Sequence, residues 1–271
     1  MRITGHERRW PAPLAALLAA LVVFAVSCGK PAAHTGVTIG PKLARLIPAD
    51  TSILAGIDAA SLRAAPFYKQ HPQLDALAER IGLNLHRDVS AILVAWSGNR
   101  PLVLIERRLP SGTKVMTYGA GSATRGRGGV SEKLRRQLSE LRKQDQIWVV
   151  SANGLPLLEM PKRTDIASAL SNIAGYVKGT SAGLSVDTGL HLRADLTCIS
   201  DAGARRVRDA FRGGIAFARF TTKDSKLQRL YEAVRVEQNR SEVILQANLP
   251  PELSAALAGY AASTASTRRL R

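Results

Sequence analysis

Gly179-Thr180-Ser181-Ala182-Gly183 sets a serine between glycines at the spacing of a nucleophile elbow. In that device a sharp strand-to-helix turn presents the hydroxyl to substrate. Asp187 and His191 follow closely and are the residue types that would orient and take the proton of acyl transfer. The local order is reversed, however. Ile166, Leu170, Ile173 and Val177 recur at helical spacing before Gly179, and alternating residues follow it. The run therefore reads as a helix stop and a strand start, and a secreted hydrolase using Ser181 with His191 is the alternative reading of function. Ser111-Gly112-Thr113-Lys114 has the S-x-x-K spacing without the S-D-N and K-T-G companions that such sites need. Gly119-Ala120-Gly121 follows a strand, but its third glycine is displaced and no acidic residue stands at the distance a dinucleotide ribose requires. The amides of that glycine-rich loop, with Arg125 and Arg127, form a candidate anion site instead. Histidines at 6, 34, 71, 86 and 191 have no metal-ligand spacing, and two cysteines cannot build a four-thiolate zinc site. No metal and no cofactor is implied, and no nucleophile, base and oxyanion donor come together.

The stronger signals are charge and the leader. The 271 residues are 45% hydrophobic and 22% charged, a globular balance, with a formal net charge of +17. Only 5% are aromatic, few rings for stacking single-stranded nucleic acid. The charge is clustered. Arg125 to Lys143 holds seven basic residues against Glu132 and Glu140, and Arg205 to Arg229 holds eight against Asp209 and Asp224. Arg205, Arg208 and Arg212 share a helical face and join Arg125 and Arg127 as candidate anion-binding residues. Such clusters attract anionic lipid, nucleic acid or other polyanions through short-range, salt-screened forces. At the amino end, Arg2, Arg8 and Arg9 precede an apolar run of 13 residues, Leu14 to Val26. As a helix it spans about 20 Å, short of a hydrocarbon core of about 30 Å, so it reads as a signal peptide.

The run ends in Ala25-Val26-Ser27-Cys28, which resembles the lipobox of bacterial lipoproteins. The resemblance implies cleavage before Cys28, acylation of its thiol, and anchoring in the cell envelope, periplasmic or outer-surface. The family prefers leucine where Ala25 stands. The expected function is an exported, membrane-tethered lipoprotein that works by binding or as envelope structure. A polyanion or nucleic-acid binder acting through its basic helices is a further alternative.

The elements behind these residues imply an α+β fold. Ser52–Asp58, Val89–Trp96, Leu102–Arg108, Gln146–Ser151, Leu190–Cys198, Val234–Gln238 and Val243–Leu249 read as strands. Leu190 to Cys198 alternates throughout, placing Cys198 on the core face as a small hydrophobe. Pro72, Ser131, Asp165 and Ser200 open helices. Asn99-Arg100 with Leu109-Pro110 repeats as Asn239-Arg240 with Leu249-Pro250. The expectation is an antiparallel sheet of repeated βαββ units with helices packed on one face. Residues 1–27 are the signal peptide and 28–42 a flexible tether. The first α/β unit covers 43–118, a Gly-rich loop and basic helix 119–145, and the second unit 146–260. A disordered basic tail covers 261–271.

Overall fold

The computed structural model describes residues 36–71, 75, 88–98, 100–119, 129–156 and 172–267. Its elements in chain order are α1 Pro41–Ala44, β1 Ile53–Asp58, α2 Ala59–Ala64, α3 Pro66–Gln70, β2 Val89–Ser97, β3 Arg100–Leu109, β4 Gly112–Gly119 and α4 Glu132–Ser139. There follow β5 Ile147–Ser151, β6 Val177–Val186, β7 Leu190–Cys198, α5 Asp201–Thr221, α6 Ser225–Glu232, β8 Arg235–Asn239, β9 Glu242–Leu249 and α7 Pro251–Thr267. All the described strands join one antiparallel sheet of nine, ordered β4-β3-β2-β1-β5-β6-β7-β9-β8.

The two expected units meet at β1 and β5, which pair from Ile53↔Ser151 to Ile57↔Ile147. The sheet is thus continuous across the seam. At its centre Gly56 faces Trp148, and a Cβ on Gly56 would run into the indole ring. Only a residue without a side chain admits the tryptophan there.

Helices cover both faces of the sheet, which corrects the one-face expectation. On one face, Leu54, Leu93, Leu102, Leu104 and Val150 pack against Leu43, Leu134 and Leu138 of α1 and α4. On the other, Ala182, Ala194, Leu196 and Leu245 pack against Ala204 and Val207 of α5 and Leu230 of α6. Ala59 of α2 meets Val89, Ile92, Val94 and Val103 on that second face. The reason lies in the central strands. Ile92, Leu93, Val94 and Ala95 form an unbroken apolar run with both sides buried, so a single helical layer would leave one side wet.

Within the stretch expected as tether, the Cβ position of Gly36 lies against Ser139, and the Val37 N–H donates to Leu138 O at 3.3 Å. Gly179 lies inside β6 and does not end a helix, because the sheet captures the whole run Val177–Val186 between β5 and β7. The stretch expected to be a frayed tail from residue 261 continues α7 to Thr267. The two hairpins attach differently: β1 pairs with β2, the first strand of its hairpin, whereas β7 pairs with β9, the second. The signal peptide, Cys28, the helix from Pro72 and most of the helix from Asp165 lie outside the described residues.

Candidate functional site

The 21-residue α5 carries the main basic cluster. Ser200 caps it: the Gly203 N–H donates to Ser200 Oγ at 3.0 Å. Asp201 in the first turn complements the positive end of the helix dipole. Gly203, Ala204 and Val207 fix one face on the sheet and leave the rest to solvent.

Arg205, Arg208 and Arg212, three and four residues apart, come together on one flank of α5, as the helical spacing implies. Their guanidinium groups differ in freedom. Arg205 is exposed. Arg208 pairs with Asp209 at 2.8 Å. Arg212 is tied to the sheet, its Nε and Nη2 donating to Val236 O at 3.2 and 2.7 Å. That carbonyl belongs to β8, an outer strand of the sheet, so Arg212 covers part of an open edge. Nearby, Arg206 Nη1 donates to the Tyr176 hydroxyl at 2.6 Å and its guanidinium lies 5.3 Å from that ring's centre. Arg219 pairs with Glu232 at 2.7 Å. A groove of about 420 Å³ runs between α5, α6 and β8. Arg212, Arg219 and Arg235 line it together with Glu232 and Glu237, so its charge is nearly balanced. Arg125 and Arg127 lie outside the described residues.

The serine and histidine do not meet. Ser181 pairs in register with Asp195, while His191 pairs with Ser185. Four residues of β7 separate the two positions, about 13 Å at 3.3 Å per residue. Ser181 is 0% exposed and its Oγ has no hydrogen-bond partner among the described residues. His191 Nδ1 lies 2.8 Å from Asn248 Oδ1 on β9. At Ser181 the chain is strand, where a nucleophile elbow would be a strand-to-helix turn.

A polar cluster that spacing alone did not single out sits on the same sheet face. Arg142 Nη2 donates to Asp145 Oδ1 at 2.8 Å and to His191 O at 3.0 Å, and the Arg142 N–H donates to Asp145 Oδ2 at 2.9 Å. Burial pushes the Asp145 carboxyl above its ordinary range, against the opposing charge of Arg142. A Cβ on Gly183 would strike that carboxylate. Beside it, Arg193 donates to Asp195 at 2.8 and 2.6 Å. Burial opposes the Arg193 charge, but its hydrogen bonds and attraction to Asp195 hold its pKa above the usual value. The cluster fastens the α4–β5 connection to β6 and β7. Its sequence signal was the Arg142/Asp145 spacing of three.

Cys198 is buried, and burial pushes its thiol up to about 11. Among the described residues no group of three His, Cys, Asp or Glu could hold a metal ion. No described helix is long and apolar enough to cross a membrane.

No family model matches the chain, and no curated protein matches it. A solved structure, "crystal form I of TP0453", is similar at a TM-score of 0.33 and 8% identity, covering 83% of this chain and 98% of that one. A likeness at that level carries no argument about function.

Proposed function

We propose that the protein is an exported lipoprotein, tethered to the cell envelope through acylated Cys28, that acts by binding an anionic surface with its basic helix. The observation that carries this reading is Cys28 itself: a cysteine following small residues at the end of a 13-residue apolar run with arginines before it. An anchor of more than one acyl chain holds a protein at a membrane stably, where one chain alone is marginal. The surface of α5 supports the second half of the reading. Arg205 and Arg206 are exposed on it, and each basic residue near an anionic leaflet adds about 1 kcal/mol. The separation of Ser181 from His191 favours binding over acyl transfer.

The test is the intact mass of protein purified from membranes. The expected species begins at residue 28 and carries diacylglycerol. A species that keeps residues 1–27, or one that begins at an unmodified cysteine, overturns the tether.

A further inference from the structure

The second half of α5 carries two large side chains that are exposed among the described residues. Phe217 is 69% exposed and Phe220 88%. They stand three residues apart, on one side of the helix. Gly213, Gly214 and Ala216, one turn before the two rings, are small, and an added Cβ at Gly213 or Gly214 meets no atom within 4 Å. Lys223 stands exposed just past the helix end, and Arg219, between the two phenylalanines in sequence, pairs with Glu232.

We propose that this end of α5 docks on an anionic lipid surface, with Phe217 and Phe220 entering the boundary between headgroups and acyl chains. The inference deepens the tethered reading above and rests on it for the choice of surface. Two observations favour lipid over a protein partner. Two phenylalanines offer about 150–250 Å² each, well short of the ~800 Å² per partner of a stable protein interface. The surrounding segment Arg205–Arg229 has eight basic residues against two acidic; Arg208 and Arg219 pair with Asp209 and Glu232, while Arg205, Lys223 and Lys226 stand exposed and complement acidic headgroups.

The test uses the full-length processed protein on vesicles of phosphatidylcholine with 30% phosphatidylglycerol, and on phosphatidylcholine alone. An indole is introduced by Phe217→Trp or Phe220→Trp and compared with wild type. Brominated acyl chains should quench the introduced indole on the anionic vesicles, and in protein expressed from residue 29, without the acyl anchor, Phe217→Ser/Phe220→Ser should weaken binding to them more than about tenfold with unchanged Tm. Flotation reads the anchor and quenching reads the wedge, so the two ideas fail separately. If flotation fails, the same vesicles are offered to the protein in solution. Quenching confined to anionic vesicles still supports docking. Absence of quenching overturns it, as does self-association that is lost in the double serine variant.

Discussion

Ser181 is a buried hydroxyl with an unspent donor, and that makes its replacement informative. A polar group buried without a partner is unfavourable by about 1–3 kcal/mol, so Ser181→Ala should leave urea stability unchanged or raise it by about 1 kcal/mol. A loss of stability would mean the hydroxyl has a partner after all. Arg142 is the opposite case. The Asp145 side chain is only 2% exposed and takes its charged contacts from Arg142. Arg142→Ala should lower stability at neutral pH by about 3–5 kcal/mol, because a buried carboxylate is left unmatched. The loss should shrink on acidification. The folded Asp145 binds its proton more tightly than the unfolded chain does, so its contribution favours the fold at acid pH and fades as pH rises through its raised value. A denaturation series from pH 4 to 7 checks the direction. Cys198 follows the same sign. Its thiol titrates at about 11 in the fold, so its contribution is complete below the ordinary thiol value and disappears as pH rises through 11. Native protein at neutral pH should resist alkylation at Cys198, and unfolded protein should react at once, as read by mass.

Among the elements, the edges of legibility follow the packing. β7 was readable because one of its sides is buried and the other is not, so Leu192, Ala194, Leu196 and Cys198 alternate cleanly with His191, Arg193, Asp195 and Thr197. The caps of α4 and α5 were readable because Ser131 and Ser200 each accept from a backbone N–H three residues on. β6 was not. Gly179, Ser181 and Gly183 have no bulk to declare a strand, and their smallness answers to neighbours distant in sequence: Gln137 over Gly179 and Asp145 over Gly183. The same blindness hid the exposure of Phe217 and Phe220, since apolar residues at helical spacing look like core until the helix is seen to pass the body's edge. The candidate arginines at 205, 208 and 212 were placed together by periodicity alone, but that Arg212 is engaged with Val236 O depends on the path of β8. Gly213 and Gly214 give this element its own prediction. Each sits in a helix interior in open space, so Gly213→Ala and Gly214→Ala should each stabilise the fold by about 0.5–1 kcal/mol. Thermal melts of the single and double variants measure it.

At the scale of the whole molecule, the seam between β1 and β5 decides whether the two halves behave as one body. Each half has its own helices, and a chain this long need not unfold in one step. But β1 hydrogen-bonds to β2 on one side and β5 on the other, and its side chains enter both main cores, Leu54 on one face and Ala55 on the opposite face. Neither half can lose its inner strand without exposing the edge and the apolar face of the other. The halves should therefore melt together. Gly56→Ala tests this at the seam, because its Cβ collides with the buried indole of Trp148 and overpacking there is expected to remove about 1–3 kcal/mol or more. The expected outcome is a single transition at a lower temperature, with tryptophan fluorescence and far-ultraviolet circular dichroism still coincident. Two separated transitions, with only one shifted by the substitution, would show that the nine-stranded sheet is two domains abutting at β1 and β5.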